Sequence, residues 1–96
     1  MAGNNIIFIT VDKERISPLA TSEKLVVYDM DSRRIIAEIP SPRNDVDTLE
    51  ELLEEYDASI LVTSGIADEK EFAVEEAGVR VYVVKPVRFK EFIESI

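Results

Sequence analysis

No stretch of this chain constrains its fold more than residues 58–86, ASILVTSGIADEKEFAVEEAGVRVYVVKP. Residues 59–63 are a short apolar run rich in branched side chains, the composition of a strand buried on both faces. Ser64 and Gly65 break it. Residues 68–77 then read as a helix, stopped by Gly78 as a C-terminal cap. Residues 79–84 form a second strand, closed by Lys85 and Pro86. A helix between two strands of one sheet makes them parallel, with a right-handed crossover. Ligands of such folds lie outside the carboxyl ends of the strands, which makes the turn at Ser64 and Gly65 the candidate position.

The rest of the chain supplies the other half of a sheet. Residues 6–11, IIFITV, are continuously apolar and read as a central strand. A charged turn from Asp12 to Arg15 leads into residues 16–23, which have no period and which Pro18 marks as loop. Residues 25–28 and 34–39 are two strands joined by a tight polar turn, hence an antiparallel hairpin, ended by Pro40 and Pro42. Residues 44–56 form the first helix: Val46, Leu49, Leu52, Leu53 and Tyr56 share one face, and Asn44 or Asp45 caps it. In the last strand Val79, Val81 and Val83 alternate with Arg80 and Tyr82, the pattern of an edge strand or a thinly covered face. Pro86 opens a final short helix with the stripe Phe89, Phe92, Ile93 and Ile96. The order β-β-β-α-β-α-β-α predicts an α/β domain of three layers, a five-stranded mixed sheet with helices on both faces.

Composition narrows the function. The 96 residues suit one domain, 1–96. There is no cysteine and no histidine, which removes disulfides, thiolate and imidazole metal ligands, and every Ser-His-Asp or Cys-His catalytic set. Three glycines form neither a Walker nor a dinucleotide motif. A formal net charge of -9 argues against nucleic-acid binding, which needs a basic face. No apolar run reaches the ~20 residues of a membrane span and the start lacks a basic signal-peptide head, so a cytoplasmic protein with no membrane partner is expected. The lack of Cys, His, Gln and Trp beside plentiful Glu, Val and Ile points to a heat-adapted source.

Three constellations bear on chemistry. First, the ends of the parallel strands gather Thr10, Lys13, Arg15, Ser64, Gly65, Lys85 and Arg88 at one edge of an otherwise acidic molecule. Backbone N–H groups at Ser64-Gly65, the nearby cations and a Thr10 hydroxyl make this a candidate anion pocket; the alternative is a turn, a cap and solubilising charges. Second, Asp12 with Glu50 or Glu51 invites comparison with metal-dependent nucleases. The strand ending at Thr63 adds no acid, however, and the glutamates of the first helix are spaced as a solvated face. Third, Asp12, Asp29, Thr63 and Lys85-Pro86 each end a strand, a set that resembles a response-regulator receiver domain with Asp29 as phosphoacceptor. The alternative for Asp29 and Asp31 is a hairpin turn, and a receiver needs more chain before its acceptor than residues 13–24 provide.

From Ile6 onwards the chain also resembles the dinitrogenase iron–molybdenum cofactor biosynthesis family, small ribonuclease H-like domains. The likeness rests on four pieces in order: FITVDKERISP, LVVYDMDSRRII, TLEELLEEYDASILVTSGI and EEAGVRVYVV. Family members often carry His-Phe-Gly-Arg where this chain has Leu19-Ala20-Thr21-Ser22, and Gly-Gly where it has Ser64-Gly65. The resemblance implies a non-enzymatic carrier or assembly domain. It would hold an anionic small molecule, iron–molybdenum cofactor or iron–sulfur cluster precursor by charge and N–H donors at Thr10, Lys13, Ser64, Gly65, Lys85 and Arg88, without a metal-ligating residue. A receiver-like signalling domain remains the alternative, as does an interaction module, for instance a homodimer through the strand bearing Arg80 and Tyr82.

Overall fold

A computed structural model describes residues 5–96. Six strands and three helices follow one another as β1 (Ile6–Asp12), β2 (Arg15–Ile16), β3 (Lys24–Asp29), β4 (Arg34–Pro40), α1 (Val46–Glu55), β5 (Ile60–Thr63), α2 (Asp68–Glu76), β6 (Arg80–Val83) and α3 (Phe89–Ser95). The sheet runs β4-β3-β1-β5-β6, with β2 attached to the end of β1. β5 is parallel to β1 and β6 to β5, while β3 is antiparallel to both β1 and β4. The expected antiparallel and parallel halves thus meet at β1, whose apolar run is buried on both faces as a central strand requires.

Alternate residues of β1 feed two cores. Phe8 packs with Leu25, Val27 and Leu61 beneath Leu49 and Leu53 of α1 and Val74 of α2. Ile7, Ile9 and Val11 pack on the opposite face with Val26 and Val62, covered by Phe89, Phe92 and Ile93 of α3. Helices therefore cover both faces. Phe8 and Tyr56 also meet edge to face, ring centroids 5.9 Å apart. Asp45 caps α1: its carboxylate accepts from the Thr48 N–H at 3.2 Å and the Thr48 hydroxyl at 2.7 Å. Gly78 ends α2 with φ +91°, the left-handed conformation that glycine adopts without strain.

The sheet has six strands rather than five. The chain reverses through Lys13 and Glu14, so that Asp12 pairs with Arg15 and Val11 with Ile16. The new strand holds because Ile16, 1% exposed, joins the second core. Its other edge pairs with residues 87–89: the Ile16 N–H donates to the Val87 carbonyl at 2.9 Å, and the Phe89 N–H donates to the Glu14 carbonyl at 2.8 Å. That pairing also corrects the start of α3. Residues 86–88 are not helical: the Val87 N–H turns back to the Lys85 carbonyl at 2.7 Å, the Val87 carbonyl serves Ile16 of β2, and Arg88 is extended. The aperiodic stretch 16–23 contains a 3₁₀ turn, Leu19–Thr21, pinned by the fully buried Leu19.

Candidate functional site

The loops after β1 and β6 meet beyond the carboxyl ends of the parallel strands. The β1–β2 hairpin lies against residues 86–88 there, and Arg15 and Arg88 stand directly opposite one another as an antiparallel bridge. Beside them opens a cavity of about 480 Å³, lined by Lys13, Arg15, Ser17, Pro18, Pro86 and Arg88 among others. Two carboxylates, Asp12 and Glu14, also line it. The Arg15 guanidinium donates to the Pro86 carbonyl at 3.2 Å, which fixes its direction. Lys13, Arg15 and Arg88 form no ion pair with any described residue; the ion pair that the structure does show joins Lys24 to Glu38. Directly opposed like charges are unfavourable in a sheet, and Asp12, opposite Arg15 in the hairpin, and Glu14 offset only part of the charge of Lys13, Arg15 and Arg88, so the corner keeps a net positive charge. On the other side of the hairpin a second cavity, of about 440 Å³, is bordered by the same Lys13 and Arg88 together with Glu91 and Glu94 of α3.

The residues expected to form the anion pocket divide into two groups. Lys13 and Arg88 come together at the cavity, with Arg15. Thr10 does not: it is fully buried, and its hydroxyl donates to the Ser17 carbonyl at 2.6 Å and lies 2.9 Å from the Thr63 hydroxyl. Ser64 and Gly65 do not line this cavity. The Ser64 N–H donates to the Ser17 carbonyl at 3.2 Å, and the Gly65 carbonyl accepts from the Leu19 N–H at 2.9 Å. Pro18 closes over Gly65, so that a Cβ there would sit 3.5 Å from the proline Cβ. Lys85 is exposed just past β6, next to the lining residue Pro86 but outside the lining itself.

Ser17 is the residue that sequence reasoning missed. It is 7% exposed, its N–H donates to the Thr10 carbonyl, and its carbonyl takes the Thr10 and Thr63 hydroxyls. Its own hydroxyl has no hydrogen-bond partner, although such groups are nearly always satisfied. Nothing in the sequence separates this serine from the other polar residues of the loop.

The receiver-like set is not assembled. Because β3 runs against β1, Asp29 pairs with Ile6, at the opposite end of the sheet from Asp12 and Thr63. Its carboxylate accepts from the Asp31 N–H at 2.9 Å, as in a hairpin turn. No three acidic side chains among the described residues converge as a cation site requires. β6 is an edge strand, with Tyr82 46% and Val83 56% exposed. No helix among the described residues is long and apolar enough to cross a membrane.

No family model matches the chain, and no curated protein matches it. Solved structures do share its fold. The crystal structure of PH0822 is 17% identical with TM-score 0.76, over 94% of this chain and 86% of that one. The NMR structure of TM1290 from Thermotoga, assigned as a NifB protein of the DUF35 family, is 20% identical with TM-score 0.74, over 95% and 85%. The apo form of the orange protein from Desulfovibrio gigas is 13% identical with TM-score 0.77, over 98% and 88%. At these identities the likeness is one of fold.

Proposed function

We propose that this chain is a non-enzymatic binding domain, related to the nitrogenase iron–molybdenum cofactor biosynthesis proteins and ribonuclease H-like in fold, that holds an anionic ligand. The sheet order and the likeness to a NifB-assigned protein and to the orange protein support the family part of this reading. The observation that carries the ligand part is the unpaired basic corner formed by Lys13, Arg15 and Arg88 on a chain of net charge -9. Guanidinium groups bind oxyanions through paired N–H donors at little reorganisation cost.

Direct ligation of an iron–sulfur or molybdenum cluster does not fit these residues. The chain has no thiolate or imidazole, the donors such metals prefer. A cluster precursor would be held as an anion, by charge alone.

The test is titration calorimetry of the wild type and Arg88→Glu against a panel of small anions. Two opposite unit charges ~4 Å apart in water attract by about 1 kcal/mol, so the reversal should weaken binding by roughly fivefold or more. Equal affinity in the two proteins would remove this corner as the site.

A further inference from the structure

We infer that the cavity between the β1–β2 hairpin and residues 86–88 takes a small organic molecule with a single phosphoryl-type headgroup, R–OXO₃, and that the Ser17 hydroxyl is a donor to that headgroup. The inference rests on the anion-binding reading above and names its ligand class. Three observations carry it.

The first is the orphan hydroxyl. Ser17 is a cavity-lining residue that is 7% exposed, with its backbone fixed on both sides by Thr10 and Thr63. Its Oγ alone is left without a partner. A serine with no structural task for its hydroxyl would be replaced by alanine at no loss, since a buried unsatisfied group is costly. The Oγ atom is itself shielded from solvent while the residue lines the cavity, so the side chain must turn to another staggered position for its hydroxyl to meet a ligand.

The second is the donor count. One hydroxyl, the Arg88 guanidinium, the N–H groups of Arg15 not given to Pro86 and the Lys13 ammonium outnumber the two oxygens of a carboxylate. They suit the three free oxygens of a phosphoryl or sulfuryl monoester. Asp12 and Glu14 on the same wall leave the lining with an excess of a single positive charge, which favours one phosphoryl or sulfuryl group over a polyphosphate.

The third is size. About 480 Å³ is far more than a bare inorganic oxyanion fills and lies in the range of small-molecule sites. Beyond the charged residues the lining includes the rings of Pro18 and Pro86, an apolar surface for the ester's organic part, with Thr21 beside them.

The experiment is calorimetric titration of wild type, Ser17→Ala and Arg88→Gln with phenyl phosphate, phenyl sulfate, inorganic phosphate and phenol. The wild type should bind phenyl phosphate more tightly than inorganic phosphate, and phenol not at all. Ser17→Ala should weaken phenyl phosphate by roughly tenfold, the loss of a hydrogen bond to a charged group, while its ligand-free melting temperature holds or rises. Phenyl sulfate binding as tightly as phenyl phosphate supports the shared headgroup chemistry and assigns no preference for phosphorus. Wild-type affinity in Ser17→Ala, or inorganic phosphate as tight as the ester, overturns the inference. If Arg88→Gln still loses anion affinity in that case, the broader reading survives. Binding of no anion at all overturns both.

Discussion

Lys13 carries φ +58° at the first of the two positions that link β1 to β2, and Glu14 has no positive φ. A hairpin whose positive φ is confined to the first loop position has the pattern of a type II′ turn, where glycine is the usual residue. A side chain held there costs on the order of 1–3 kcal/mol. Lys13→Gly relieves that strain but gives the unfolded chain more freedom, worth about 0.5–1 kcal/mol. The lysine is exposed and forms no ion pair with a described residue, so its charge contributes little to the free protein. The balance is a stabilisation of about 1 kcal/mol, or a melting temperature higher by roughly 4–8 °C. Calorimetric melting without ligand measures it, and Lys13→Asn, which tolerates positive φ, should fall between the two. The same Lys13→Gly protein should bind the anion more weakly, so that stability and affinity move in opposite directions. A lower melting temperature in Lys13→Gly would refute the strain argument; higher stability with unchanged affinity would keep the strain and remove Lys13 from the site.

Thr10→Val should lower stability by about 1 kcal/mol, because it deletes a buried hydroxyl whose partner, the Ser17 carbonyl, keeps other donors. Anion affinity should stay within about twofold; a variant that melts like the wild type yet loses binding would return Thr10 to the site. The hydroxyl and N–H of Thr48 hold the Asp45 carboxyl below its ordinary 3.8. A lowered folded-state value stabilises above the unfolded-state value and is lost as pH falls through the folded one. The melting-temperature gap between wild type and Asp45→Asn should therefore shrink on acidification from pH 6 to pH ~2. A gap independent of pH would show that the cap does not depend on the charge.

The parts of the fold written most plainly in the sequence are those stabilised locally. Residues 6–11 and 60–63 are apolar enough to be central strands in any α/β arrangement, and the spacing of Leu49 and Leu53 aims α1 at Phe8. β2 was illegible for the opposite reason. It is two residues long, and its second edge is completed by Val87 and Phe89, which no local pattern links to it. The site shows the same division. The ends of the strands place Lys13 and Arg88 at one corner, but no local pattern marks Pro18 as the cover of Gly65 or Thr10 as an inward-facing side chain. Ser17 is conspicuous only once every hydrogen bond around it is placed.

The bridge between Arg15 and Arg88 joins two segments that lie far apart in the sequence. Closing so long a loop is entropically unfavourable and comes late in folding. A chain without residues 86–88 would have no cavity beside Ser17, since Pro86 and Arg88 form one of its walls. Capture of the anion would then report that residues 86–88 have docked on the β1–β2 hairpin, and the ligand would stabilise that junction rather than the sheet beside it.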